Sequence, residues 1–230
     1  MRRALSVVHT WGEMIRFSHS LFALPFAVLA TFLAARPQLP QLTQFGLILL
    51  AMVGARSAAM TFNRLADARL DAMNPRTAAR ALPRGRISPR AAWLFFAAAC
   101  AAFVLACVGF RWLYGNPWPL ILCAPVLLLL CLYSYTKRLT RWSHLALGAA
   151  IGFSPVAAWI AISPQTLGAP AWLLMVAVLF WIGGFDVIYA CQDVEFDRRH
   201  GVHSLPAKIG IGPALWLTRA FHAATIAALA

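Results

Sequence analysis

Asn63, Asp67 and Asp71 stand four residues apart, and far along the chain Asp193 and Asp197 repeat that spacing, with Asp186 seven residues upstream of Asp193. The chain has only seven carboxylates in 230 residues, and once Glu195 is counted all but Glu13 fall in these two groups. At about 100° per residue, Asn63, Asp67 and Asp71 lie within about 80° of one another on a helix. Two carboxylates a turn apart, about 6 Å along the axis, can reach one divalent ion, and an amide oxygen one turn earlier adds a neutral ligand. Magnesium suits so incomplete a cage. It keeps several waters and takes one or two protein carboxylates, with phosphate oxygens completing the octahedron. A solvated helix end is the ordinary explanation for one acidic pair, but a second matched pair in so acid-poor a chain turns the reading towards metal.

A metal of this kind calls for an anion. Between Arg64 and Arg90 the chain carries seven arginines against two acids. Guanidinium groups grip phosphate through paired hydrogen bonds, which makes Arg76 and Arg80 candidate ligands of a diphosphate held against magnesium. The same arginines can serve topology or anionic lipid, and for any one of them both roles stay open. Asp186 lies deeper in its apolar run than Asp193 and Asp197, where a carboxylate needs a partner, water or a proton. Arg56, seven residues upstream of Asn63, is a candidate counter-ion. Each acidic group is followed by a basic loop with a Leu-Pro step, Leu82-Pro83 and Leu205-Pro206. This pattern points to a degenerate internal duplication that turns both acidic helix ends towards one cavity.

The elements that must hold these residues are apolar helices. Charged residues make up 12% of the chain, against about 25% in soluble domains. Hydrophobic residues make up 61%, and the mean hydropathy is +0.71. Seven apolar runs, at 20–36, 43–62, 89–110, 118–135, 143–163, 170–190 and 211–230, approach the ~20 helical residues that cross a bilayer. The expected fold is an all-α polytopic transmembrane bundle, one domain over residues 1–230. Alternate gaps between the runs collect the basic residues: Arg2, Arg3 and Arg16; the Arg64–Arg90 set; Lys137, Arg138 and Arg141; Arg198, Arg199 and Lys208. By the positive-inside rule that side is cytoplasmic, and both acidic groups lie on it. The net charge of +13 is thus divided among membrane loops, which argues against a nucleic-acid partner. The apolar stretch near Leu21 starts late and runs long for a cleaved signal peptide. Cys100, Cys107, Cys123, Cys131 and Cys191 show no CxxC spacing and read as small buried hydrophobes.

The run Asn63-Arg64-Leu65-Ala66-Asp67-Ala68-Arg69-Leu70-Asp71, followed by Asn74-Pro75-Arg76 and Leu82-Pro83, resembles the first aspartate motif of the UbiA superfamily of intramembrane prenyltransferases. The chain reads NxxxDxxxD where many members read NDxxDxxxD, with Arg64 in place of the optional acid. Gln192-Asp193-Val194-Glu195-Phe196-Asp197 is similar to that family's second motif, DxxxD. Between them, Tyr133-Ser134-Tyr135-Thr136-Lys137-Arg138-Leu139-Thr140 is similar to a YxxxKxxT pattern seen in some members. The segment from Asp186 to Pro206 is most similar to the bacterial 4-hydroxybenzoate polyprenyltransferases, including the branch linked to menaquinone synthesis. Family members have nine transmembrane helices against the seven expected here, so the resemblance implies a chain truncated within its seventh.

The resemblance implies Mg2+-dependent transfer of a polyprenyl group from polyprenyl diphosphate to an aromatic acid, 4-hydroxybenzoate, in quinone biosynthesis. Asn63, Asp67, Asp71, Asp193 and Asp197 would hold the metal, with Lys137 and nearby arginines assisting departure of diphosphate. An apolar bundle would shield the allyl cation from water until the ring carbon ortho to the hydroxyl attacks. Arg16 and Arg56 are candidates for the acceptor's carboxylate, and Asp186 for a contact with substrate. Tyr133 either orients the diphosphate or is an ordinary interfacial aromatic. His19, His200 and His203 read as quiet helix-end residues or as bases. The setting implied is a bacterial cytoplasmic membrane, with the active site facing the cytoplasm and membrane lipid around the helices.

Two other classes compete. A cation-coupled transporter would carry its ionisable residues near the midplane, whereas these collect at one membrane face. Membrane alcohol phosphatidyltransferases place their acids in one Gly-containing block, whereas these are divided between distant helices. Other acceptors on the same scaffold, such as homogentisate, naphthoates, haem precursors or glycerol lipids, stay open.

Overall fold

The computed structural model describes residues 10–15 and 24–230, so the expectations for Arg16 and His19 lie outside the described residues. The described chain is helical, without a strand among the described residues. The long helices are α1 (Leu24–Ala35), α2 (Leu42–Met73), α3 (Pro89–Tyr114), α4 (Trp118–Thr136), α5 (Ser143–Ile162) and α6 (Ala169–Ala190). Two short helices follow, α7 (Val194–His200) and α8 (Leu205–Ile209), and then the longer α9 (Ile211–Leu229).

Five stretches are long and apolar enough to cross a membrane: Leu42–Met73, Pro89–Tyr114, Trp118–Thr136, Ser143–Ile162 and Ala169–His200. The seven expected apolar segments all return as helices. The first is a 12-residue helix in the described chain, and α9, whose hydropathy is diluted by Arg219 and His222, is not among the five.

Local chemistry sets the boundaries. Ser88 caps α3 by accepting a hydrogen bond from the Ala91 N–H, Pro89 fills the first turn, and Gly115 ends the helix at φ 67°. The helix α2 outruns its apolar segment, because Asn63 to Met73 is rich in Ala, Leu and Arg and holds no breaker. It stops at Asn74, which precedes Pro75, where the helical conformation is disfavoured.

The chain forms two compact units, the first comprising described residues 10–15 and 46–134, the second 24–45 and 135–230. In the first, a Cβ at Gly54 of α2 would meet backbone atoms of Ala99 and Phe103 on α3, so glycine is what lets these helices approach. Met14, Ile87 and Ala92 form a local core there with Leu65 and Phe95. In the second unit α5 packs on α6, α6 on α9 and α1 on α5. A Cβ at Gly148 would run into the Leu179 carbonyl of α6. Val187, Leu205, Ala214 and Phe221 are buried together beside it.

Polarity is distributed as a lipid solvent requires. Leu94, Leu105, Trp112, Ile121 and Leu128 are exposed, while Arg64, Asp67, Asp71, His144 and Asp197 are buried.

Candidate active site

The first unit brings together the first acidic motif. Since α2 is continuous to Met73, Asn63, Asp67 and Asp71 share a face as their spacing predicts. Asp67 is only 2% exposed, and Asp71 and Arg64 are buried beside it. The Asn63 side-chain N–H donates to the Ser134 hydroxyl at 3.4 Å, so its amide oxygen is not used in that bond. After the helix the loop folds back. The Thr77 hydroxyl donates to the Asp71 backbone carbonyl at 2.9 Å, and the Arg76 N–H donates to the Asn74 side-chain oxygen at 2.9 Å. That return carries Arg80 onto Asp71, its guanidinium donating to Oδ1 at 2.5 Å. Arg64 stands 3.8 Å from Oδ2 and is itself tied to the Met14 carbonyl at 3.4 Å.

Arg80, expected on a phosphate, thus lies on a carboxylate: opposite charges brought together in a low-dielectric setting neutralise one another. Arg76 is exposed in the same loop. Arg56, half-buried on α2, interacts electrostatically with Tyr133 near the end of α4.

The second unit holds the other acids and Lys137. Asp193 and Asp197 do not ride on one uninterrupted helix with Asp186. A 3-10 turn, Cys191–Asp193, separates α6 from α7. Each residue of that turn advances about 120° against about 100° in an α-helix, which shifts the later acids by about 60° in phase and leaves Asp193 about 40° from Asp186. Asp193 sits at the junction with φ −112° and ψ 8°. Asp197 is buried on α7, within electrostatic reach of Asp193, Lys137 and His144.

The chain segment after α7 is fastened to the α4–α5 connection. The His203 N–H donates to the Lys137 carbonyl at 2.8 Å, and the Ser143 hydroxyl to the His203 carbonyl at 3.5 Å. This places the lysine of the third motif beside the second acidic motif.

Asp186 has a partner that the sequence reading did not single out. His144, the second residue of α5, sets Nδ1 2.7 Å from Asp186 Oδ2, and the Leu205 N–H donates to its Nε2 at 3.1 Å. The available signal was a titratable ring inside an apolar segment, just after Trp142 and Ser143. His200 stacks on Phe196, its ring centroid 4.1 Å away.

The donor set is one that magnesium accepts. Among the described residues no three of His, Cys, Asp and Glu gather as a metal cluster, so each acidic motif offers at most a carboxylate pair, hard oxygens without thiolate. In the first unit Asp71 Oδ2 is buried and receives no hydrogen bond, which leaves that oxygen with capacity for a cation.

A sequence model described as the UbiA prenyltransferase family matches residues 23–230. A 4-hydroxybenzoate octaprenyltransferase of Saccharophagus degradans is 35% identical over 173 residues, which is 75% of this chain and 56% of that protein. Another, from Actinobacillus pleuropneumoniae, is 30% identical over 84% of this chain and 65% of its own length. The chain therefore spans a little over half to just under two thirds of these relatives. Among solved structures, the apo UbiA homolog from Aeropyrum pernix K1 is 35% identical with a TM-score of 0.82, over 92% of this chain and 77% of that one. The UbiA homolog from Archaeoglobus fulgidus bound to GPP and Mg2+ shares the fold at a TM-score of 0.73 and 20% identity, over 95% and 76%.

Proposed function

The chain belongs to the UbiA prenyltransferase family, and from that premise we propose that it transfers a polyprenyl group from polyprenyl diphosphate to 4-hydroxybenzoate, forming a carbon–carbon bond ortho to the hydroxyl. The observation that carries this reading is the buried carboxylate pair Asp67 and Asp71 on one helix face with Arg64 and Arg80 around it. Such a site suits a metal-bound polyanion. The names of the relatives from Saccharophagus and Actinobacillus support the acceptor.

Asn63, Asp67 and Asp71 in the first unit, and Asp193 and Asp197 in the second, would hold Mg2+. Bound there, the metal supplies neutralisation of the charge that grows on the departing diphosphate. The Archaeoglobus protein of the same fold, with GPP and Mg2+, is in keeping with that choice. Lys137 and the arginines Arg76 and Arg80 bind the diphosphate oxygens, Arg80 exchanging its carboxylate for phosphate as both groups become available. Arg56, with Arg16, binds the carboxylate of the acceptor, Tyr133 orients the diphosphate, and Asp186 accepts a hydrogen bond from the acceptor hydroxyl. The apolar helix faces exclude water from the allyl cation.

The protein is an integral membrane protein by its apolar helices and its family. We place it in a bacterial cytoplasmic membrane with these residues on the cytoplasmic side, surrounded by lipid. The test is turnover in membranes with one long prenyl diphosphate and a panel of aromatic acids, with and without chelator. Magnesium-dependent diphosphate release with 4-hydroxybenzoate is expected. Release with a different acceptor alone would move the substrate, and none with any acceptor would overturn the activity.

A further inference from the structure

The side chain of His144 is 5% exposed, yet it makes two directional polar contacts. The Leu205 N–H points at Nε2, so that nitrogen presents its lone pair and the ring proton sits on Nδ1. The neutral ring is thereby a donor to Asp186 Oδ2 across 2.7 Å. Asp186 differs from its partner in burial: 36% of its side chain remains accessible. One oxygen is held by a buried donor while part of the side chain stays accessible.

The backbone is arranged to hold this geometry. A Cβ at Gly148, one turn after His144, would run into the Leu179 carbonyl and crowd the Gly183 backbone nitrogen, so the α5–α6 approach that sets the ring against the carboxylate depends on glycine there. On its other side the ring is attached to Leu205, at the start of α8, whose chain is held to Lys137 through His203. A carboxylate near the end of an apolar helix, given one strong donor and an open side, is a prepared hydrogen-bond acceptor.

We propose that His144 is the positioning residue for Asp186, holding its carboxylate as an oriented acceptor for the hydroxyl of the phenolic substrate. The assignment rests on the transferase reading above. His144 touches no substrate in this scheme and acts only through Asp186, by fixing one rotamer of its carboxylate with a short hydrogen bond.

Two amide substitutions separate that role from a merely structural one. His144→Asn puts a side-chain N–H near the place of Nδ1, keeping the donor to Asp186 and losing the acceptor for Leu205. His144→Gln reaches to the place of Nε2, keeping an acceptor for Leu205 and losing the donor to Asp186. In the full chain in membranes or detergent, calorimetric binding of 4-hydroxybenzoate and its KM should weaken about tenfold in His144→Gln, the worth of one charge-assisted hydrogen bond. The KM for prenyl diphosphate should stay within about threefold of wild type, below the ~1.4 kcal/mol that marks a tenfold change. His144→Asn should keep acceptor binding close to wild type. Wild-type acceptor binding in His144→Gln, or equal loss of both substrates in both variants, overturns the assignment and leaves the transferase reading standing. Wild-type protein inactive with every acceptor overturns that reading and the assignment with it.

Discussion

Arg80 donates to the carboxylate of Asp71 at 2.5 Å from a loop that turns back nine residues further along the chain. The contact joins a proposed phosphate ligand to a proposed metal ligand. Arg80→Ala removes one charge-assisted bond, so the KM for prenyl diphosphate should rise about tenfold with a smaller change in kcat. Steady-state kinetics at saturating acceptor checks it.

The Thr77 hydroxyl holds the same turn through the Asp71 carbonyl, and Thr77 is 3% exposed. Thr77→Val keeps the shape and strands that carbonyl, at a cost of about 1–3 kcal/mol. Unfolding in detergent should show the loss, together with a milder form of the Arg80→Ala kinetic defect.

Asp67→Asn and Asp193→Asn keep side-chain volume and remove charge, one in each unit. Each should lower diphosphate release by at least about 100-fold, as loss of a preorganised electrostatic group does, while membrane insertion and expression hold. Near-normal release in either variant would remove that residue from the metal set.

Gly148→Ala should destabilise the second unit by about 1–3 kcal/mol, since its Cβ meets the backbone carbonyl of Leu179, which has no rotamer to move. Gly46→Ala, with nothing within 4 Å of its Cβ, should be neutral or stabilising by up to about 1 kcal/mol. Thermal unfolding of the two variants side by side checks the contrast.

Reporter fusions test the orientation. Alkaline phosphatase, active only outside the cytoplasm, should be inactive when fused after Gly85 in the arginine-rich loop and active when fused after Gly115. The reverse pattern would place the acidic motifs on the outer side.

Much of this architecture was legible residue by residue. Ser88-Pro89 announces the start of α3 and Gly115 its end, because capping and left-handed turns are local choices. The run through Asp67 to Asp71 kept its helical phase, so its shared face was correctly read from spacing. Between Asp186 and Asp193 the chain passes through a 3-10 turn, Cys191–Asp193, that the spacing alone does not reveal. That turn contains no Pro or Gly to signal it. The role of His144 is not legible in the sequence because its partners lie 42 and 61 residues away.

Composition and periodicity determined the membrane class, the helices and the acidic motifs, since hydrophobic burial and backbone hydrogen bonding within a helix depend on neighbours in the chain. Tertiary structure alone decided which polar atoms meet: Asn63 with Ser134, Arg80 with Asp71, His144 with Asp186 and Leu205. A hydrogen bond tolerates only a few tenths of an ångström, and that precision is set by how helices and returning loops pack, not by neighbours in the chain.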